Sequence, residues 1–441
     1  MVSATQRVVP VLLLSATLLI VGVLYEPRAV FTGLLLLLAL ASIRGYVVLA
    51  YMALGRASTS WLIKGGVEGE LAEAKLLIEN KTWVPVALLE VSLNYSPHLK
   101  LVSGSRAGVL VLPPKSRVEY RVVFQGRTGK HVVGPLRAVV RDPFGLFKSS
   151  EVEVARPVFL EVKPKALPLV VRKLFAYTRS TGLVKVAKPG IGVEFYDTRD
   201  YMPGDELRSI DWKKYSLMGK LVVKEYERES YQVVVFVVDA TAAMLQGPYG
   251  NTPFEHSARV VSSIAYYLSK RGDVVGLVAY GEGGILFTSK LARGKKAFYN
   301  VLRVLSQVEF AVKGTTSDED RSLRLQSATR KLLEVLPRER CAVFIFTTSG
   351  GERYARALLD VVKRLTALGM AIYVVLPIIV AYDVKALTPW ARAVFRVKTL
   401  EKLKQDLEFA SMLRKMGAKV IAVGPELIPQ AIVSIIEASA G

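Results

Sequence analysis

The sequence predicts a multi-domain chain: an N-terminal transmembrane helical hairpin, a β-sandwich, and an α/β domain built on an open, mainly parallel sheet. Three observations predict it. Two apolar runs, 8–25 and 29–54, open the chain. Short runs of alternating apolar and polar residues recur between 57 and 165. From about Tyr231 onward, continuous apolar runs alternate with amphipathic helical stretches, the order that builds a parallel sheet between helices.

The hairpin is assigned to residues 1–56. The run 8–25 carries no charge and reaches roughly the length that crosses a bilayer. Glu26-Pro27-Arg28 breaks it, and the second run is interrupted by Arg44. That helix either ends near Ile43 or continues with Arg44 snorkelling to the headgroups. A second apolar run directly after the first argues against a cleaved leader. Arg7 precedes the hairpin and Arg44, Arg56 and Lys64 follow it, whereas the connection carries one Arg beside one Glu. This places both termini, and the bulk of the chain, in the cytoplasm of an integral cell-membrane protein.

Composition agrees. The 441 residues are 51 % hydrophobic and carry a formal net charge of +22. Such a surface attracts phosphate, anionic headgroups or acidic proteins, and it also marks the cytoplasmic face of a membrane protein. Cys341 is the single cysteine, so no intrachain disulfide forms, and its run CAVFIF reads as a buried strand. His98, His131 and His256 are scattered, without the spacing of a zinc site.

The sandwich, 57–165, rests on runs at 74–78, 87–93, 108–112, 118–124, 136–140 and 152–154, separated by Asn80-Lys81, Ser96-Pro97, Pro113-Pro114 and Gly126-Arg127. About seven short strands at this spacing suggest two packed antiparallel sheets. Asp142-Pro-Phe-Gly-Leu-Phe147 reads as a turn burying both of its aromatics. Residues 166–230 read as a basic connector. In 231–441, strands are expected at 232–238, 274–280, 285–288, 342–347, 371–377 and 419–423. Helices are expected near 256–269, 296–308, 321–336, 353–368, 401–416 and from about 425. Ligands of such sheets bind beyond the carboxyl ends of the strands, where Asp239 stands.

The connector contains YMPGDELRSIDW, residues 201–212. Pro203 and Gly204 specify a turn. Asp205 is placed to cap a helix running to about Met218, with Gly219 ending it. Leu207, Ile210, Asp211, Lys214 and Met218 then share one face, and Asp211 needs Arg199, Arg208 or Lys214 as a partner. Upstream, Gly190 and Gly192 lead to Glu194, Asp197, Arg199 and Asp200. Three roles remain open for this cluster: an ion-paired joint, a surface that docks a protein, and a metal-dependent hydrolytic site. The last would gather Glu194, Asp200, Asp205 and Asp211 around Mg²⁺, with the arginines competing as counter-ions. Non-specific nucleic-acid binding by the basic surface is a further alternative, without a recognisable reading module. No Walker lysine motif is present.

Gly190-x-Gly192-x-Glu194-Phe, Arg199-x-Tyr201-x-Pro203-Gly204-Asp205, Arg208-x-Ile-Asp211-Trp212 and the basic strand ending Glu225-Tyr-Glu227 form one long pattern. It resembles the domain of unknown function 58 family, as do Arg127-Thr-Gly129 and the 142–147 turn. The resemblance implies a membrane-anchored protein whose C-terminal part is a von Willebrand factor A-like, Rossmann-like α/β domain. It implies a non-enzymatic interaction module or adaptor, partnered by a MoxR-type AAA+ ATPase in complex assembly or maturation. Domains of this likeness hold Mg²⁺ through Asp-x-Ser-x-Ser, a loop Thr and a later Asp. Here the first element reads Asp239-Ala-Thr241-Ala-Ala243, the loop offers Thr315 or Thr316, and the last position reads Thr347-Thr348-Ser349. The resemblance therefore implies at most a degenerate Mg²⁺ site at Asp239, Thr241 and Thr315, and otherwise no cofactor. Asp239 capping its own loop is the alternative.

Overall fold

The computed structural model describes residues 2–64, 66–166, 189–227, 232–247, 249–288, 291–310, 316–336, 341–378 and 389–438. The chain divides into two compact units, 1–163 and 164–441.

In the first unit a short strand β1 (Val2–Ala4) precedes helices α1 (Val8–Leu24) and α2 (Pro27–Gly55). Pro27 occupies the first turn of α2, where its missing N–H costs nothing. The buried positions are Val8, Ser15 and Gly22 on α1, and Gly33, Leu40, Val47, Ala50, Ala53 and Leu54 on α2. Val8, Ser15 and Gly22, like Gly33, Leu40, Val47 and Leu54, repeat every seven residues, the period that keeps one seam facing a partner. Small residues let the backbones close: a Cβ on Gly22 would fall 2.4 Å from the Val30 backbone nitrogen, and one on Gly33 2.9 Å from Leu19. Away from the seam, Leu13, Val23, Leu35 and Leu38 are exposed. The helix Pro27–Gly55 is long and apolar enough to cross a membrane, whereas Val8–Leu24 is a shorter apolar helix of 17 residues. Of the two readings of Arg44, the longer helix is correct, since α2 runs unbroken through it. From Tyr46 onward α2 meets protein: the Tyr46 hydroxyl donates to the Pro85 carbonyl at 3.1 Å and accepts from the Ala87 N–H at 2.9 Å.

Ten strands follow: β2 (Ser58–Lys64), β3 (Leu71–Glu79), β4 (Val86–Tyr95), β5 (Leu99–Ser103), β6 (Ala107–Leu112), β7 (Arg117–Gly126), β8 (Gly129–Arg141), β9 (Phe147–Ser149), β10 (Val152–Ala155) and β11 (Val158–Val162). One sheet has the order β1-β9-β8-β4-β6, with β10 and β11 also on β8, and the other has β2-β3-β7-β5. Leu89, Leu93, Leu136 and Val140 of the first and Leu76, Ile78, Val122 and Phe124 of the second join one core, to which Val47, Ala50 and Leu54 of α2 also belong. Val2–Ala4 pairs antiparallel with Phe147–Ser149, and the Thr5 N–H donates to the Leu146 carbonyl at 2.8 Å. The chain before α1 and the sheet after α2 therefore meet at one end of the helices. Strands β1, β2, β5, β9 and β11 fall outside the expected runs, β1 and β9 being only three residues long.

Two local details matter. Asp142 accepts N–H bonds from Phe144 at 2.9 Å and Phe147 at 2.5 Å, which closes the 142–147 turn. The expectation that both aromatics are buried is corrected: Phe147 is in the core and Phe144 is exposed, because the residue at the tip of the turn faces outward. Asn80, buried, donates to the carbonyls of Val84 at 2.9 Å and Pro113 at 3.0 Å and accepts from Thr82 N–H at 3.0 Å. Asn80→Ala should cost about 2 kcal/mol by orphaning these groups, read as a lower urea midpoint with unchanged slope.

The second unit begins with an antiparallel ribbon, β12 (Pro189–Asp200) and β13 (Val222–Glu227), whose connection holds a 3₁₀ turn at Leu207–Ser209 and helix α3 (Trp212–Met218). The remainder alternates: β14 (Val233–Ala240), α4 (Pro253–Arg271), β15 (Val274–Gly281), β16 (Gly284–Phe287), β17 (Ala292–Arg293), α5 (Gly294–Ser306), α6 (Asp318–Val335), β18 (Cys341–Phe346), α7 (Glu352–Ala367), β19 (Ala371–Pro377), α8 (Pro389–Lys415), β20 (Val420–Val423) and α9 (Ile428–Ala438). The main sheet has the order β16-β15-β14-β18-β19-β20. It is parallel from β15 to β20, with β16 and β17 antiparallel on β15. Every residue of β14 and β15 is buried, as continuous apolar runs between two helical layers require. Helix α8 starts at Pro389, earlier than the expected 401.

Candidate functional site

Two constellations lie in the second unit. The first is the signature segment. Its helix differs from the expected one. Asp205 caps nothing; Arg199 donates to both of its carboxylate oxygens, at 2.8 and 2.6 Å, and the Met202 N–H adds a third bond at 2.9 Å. The Arg199 guanidinium, then the Met202 N–H, hold the Asp205 carboxyl below its ordinary pKa. This fork closes the turn at Pro203-Gly204, where Gly204 has φ +112°, a conformation that glycine adopts without strain. The chain stays extended at Ile210, and α3 starts only at Trp212. Its cap is Asp211, buried, which accepts from the N–H groups of Lys213 at 3.2 Å and Lys214 at 3.3 Å. Capping by Asp211 wins because Arg199 has already engaged Asp205. Gly219 ends the helix at φ +67°, as expected.

The single helical face from Leu207 to Met218 therefore does not form. Asp211 lies 3.7 Å from Lys224 instead of pairing with Arg208, and Lys214 donates to the Thr198 hydroxyl at 2.7 Å. Asp200 pairs with Lys220 at 2.9 Å in solvent. The Tyr201 N–H donates to the carbonyl of Leu221, just before β13, at 3.1 Å; Arg208 is exposed. Gly190 and Gly192 lie in β12, and the Glu194 side chain falls outside the described residues. Of the carboxylates proposed for hydrolysis, Asp200, Asp205 and Asp211 are thus each held by a cation or by backbone. Among the described residues no three of His, Cys, Asp or Glu are grouped as metal ligands. What the segment does present is apolar surface. Leu207 is 67 %, Trp212 58 %, Leu217 78 % and Met218 74 % exposed. Trp212 packs edge-on against Tyr215, with ring centroids 6.1 Å apart.

The second constellation stands at the carboxyl ends of the parallel strands. From β14 the chain adds β15 on one side and β18 on the other, so the order reverses beside β14. Asp239, near the end of β14, is fully buried. Its Oδ1 accepts from the Thr241 N–H at 2.9 Å and hydroxyl at 2.7 Å. Its Oδ2 accepts from Arg321 Nε at 2.8 Å and the Thr347 hydroxyl at 2.9 Å. Arg321, 1 % exposed, also donates to the Thr347 and Thr348 hydroxyls at 2.8 and 3.0 Å and to the carbonyls of Thr348 and Ser349 at 3.1 and 3.2 Å. Its guanidinium lies over the Tyr354 ring, 4.0 Å from the centroid, and the Tyr354 hydroxyl meets that of Tyr280 at 3.0 Å. Burial, the largest single influence, works to lower the Arg321 pKa, but Asp239, Tyr354 and Tyr280 together outweigh it and the net shift is upward. Burial pushes the Tyr354 phenol up to about 12.

A hard divalent cation needs several oxygen ligands at about 2.0–2.6 Å. Here both Asp239 oxygens are occupied, Ala243 brings no ligand, and a permanent cation already faces the carboxylate. The residues present do not fit Mg²⁺. Thr315 lies outside the described residues; Thr316 instead hydrogen-bonds Glu282. Sequence reasoning missed Arg321, although a signal existed. Arg321, Leu325, Ala328 and Leu332 are all buried on α6, at helical spacing. An arginine on an apolar stripe demands a buried acid.

Residues 197–375 match the family described as "Protein of unknown function DUF58", a span that holds both constellations. A stretch of 108 residues, 24 % of this chain and 25 % of the relative, is 27 % identical to "Uncharacterized protein YeaD" of Bacillus subtilis (strain 168). The chain thus spans about a quarter of the length of that curated relative. Among solved structures, the SpRpn10 VWA domain is similar at TM-score 0.26 and 15 % identity, over 46 % of this chain and 94 % of that one. An inactive mutant of the GH20 exo-β-N-acetylglucosaminidase of Vibrio harveyi is similar at TM-score 0.23 and 10 % identity, over 83 % of this chain and 75 % of that one.

Proposed function

We propose, for a chain whose residues 197–375 match the DUF58 family, a membrane-anchored adaptor that docks a protein partner through its 199–221 segment. The helices α1 and α2 act as a transmembrane hairpin, the two antiparallel sheets as a sandwich-type support, and the α/β sheet as the von Willebrand A-like platform. Both termini lie in the cytoplasm, in keeping with β1 and the sheet after α2 meeting at one helix end. The partner is a MoxR-type AAA+ ATPase, the kind that the resemblance implies.

One observation carries this reading: Leu207, Trp212, Leu217 and Met218 are held out into solvent by a turn whose polar groups bond one another. Large apolar side chains displayed on a pinned scaffold are what a partner's pocket buries, and tryptophan leads among such anchors. In a pull-down of the full chain in detergent with a MoxR-type AAA+ ATPase, Trp212→Ala should weaken capture at least about tenfold. Arg199→Ala, which loosens the turn, should weaken it less. Unchanged capture by a folded Trp212→Ala protein would remove this segment from the interface.

A further inference from the structure

We infer that Arg321 is the resident cation of the strand-end crevice, and that this crevice takes neither a divalent metal nor a ligand from solution. In an open α/β sheet the crevice where the strand order reverses is the usual ligand site, because loops diverge there and leave a cleft. Here that place lies between the ends of β14 and β18, flanked by Asp239 and Thr347. The chain fills it from its own first turn of α6.

The replacement is chemically complete. A metal at this place would neutralise Asp239 and tie the ends of the strands together. Arg321 does both: its side chain is 2 % exposed against 0 % for Asp239, with nitrogen and oxygen 2.7 Å apart. It bonds the Thr347 hydroxyl, both oxygen types of Thr348 and the Ser349 carbonyl. The planar fork suits this work, since its donors point outward in one plane while its face rests on Tyr354. Tyr280 of β15 reaches the same cluster through Tyr354. Among the described residues, the titratable groups facing the guanidinium are thus Asp239, Tyr280 and Tyr354, and none of them is solvent-exposed. An incoming carboxylate would find its counter-charge already spent, and an incoming metal would find its ligands taken. Partner binding by this domain therefore needs no divalent cation and proceeds on another surface.

The test uses the full chain in detergent. Mn²⁺ is titrated calorimetrically, and melting is recorded with EDTA and with Mg²⁺. The wild type should show no saturable uptake up to about 10 mM, far above the range of built sensor sites, and the same melting temperature in both buffers. Arg321→Lys keeps a charge but loses the fork, so its melting temperature should fall by several degrees, or the variant should fail to fold, and Mg²⁺ should not restore it. Saturable Mn²⁺ uptake by the wild type that Asp239→Asn abolishes would overturn the inference. So would an Arg321→Lys protein that melts with the wild type.

Discussion

Asp239→Ala should destabilise the second unit by about 3–5 kcal/mol, because it leaves a desolvated guanidinium without its counter-ion. For a unit of this size that is a fall in melting temperature of roughly 10 °C, measured by calorimetry on the full chain. Most of the loss comes from stranding Arg321, so the variant is informative beside Thr241→Ala. That change removes one hydroxyl donor from Asp239 Oδ1 and should cost about 1 kcal/mol. Equal losses for the two variants would mean that the ion pair contributes no more than one neutral hydrogen bond. A loss below about 1 kcal/mol for Asp239→Ala would mean that water reaches the pair, as at ordinary surface bridges.

Acid should destabilise the first unit through His131. This ring on β8 is 1 % exposed; its Nε2 donates to the Arg127 carbonyl at 2.6 Å, and its Nδ1 meets no partner among the described residues. Burial first, with His98 and Arg127 as added positive neighbours, lowers its pKa from 6.5 to about 4. The sign follows directly. Between about 4 and 6.5 the unfolded chain carries a proton here that the folded chain does not. The unit is therefore at full stability above pH 6.5 and loses it as the pH falls toward 4. The loss is on the order of 3 kcal/mol over that window. His131→Gln should flatten this slope. His256, lowered to about 4 by burial and by Arg259, contributes a like slope to the second unit, so urea titrations at pH 7 and pH 4.5 on both single variants separate them. An unchanged slope in His131→Gln would show that the ring is solvated.

The outer architecture was legible because it rests on local periodicity. The run 233–238 lacks any polar residue, and only a strand covered on both faces tolerates that. The runs 8–25 and 29–54 announce apolar helices by length alone. At the signature segment, residue types were legible and pairings were not. Asp205 and Asp211 both satisfy the sequence rule for a helix cap. Arg199, six residues from Asp205 in sequence, takes Asp205 by a two-pronged bond and leaves the cap to Asp211. That choice depends on β12 placing Arg199 across the turn, which no local pattern encodes. The same holds for Phe144 and Phe147, alike in sequence and opposite in burial.

The amino-acid order by itself determined most of the long helices and strands of the α/β part and where charge accumulates, because each follows from neighbours within two turns or a few strand residues. Only the tertiary structure decided what neutralises Asp239. Arg321 stands 82 positions away, and the strand order brings the two together where both are buried. There a buried carboxylate must take whatever cation the fold delivers, and the fold delivers an arginine.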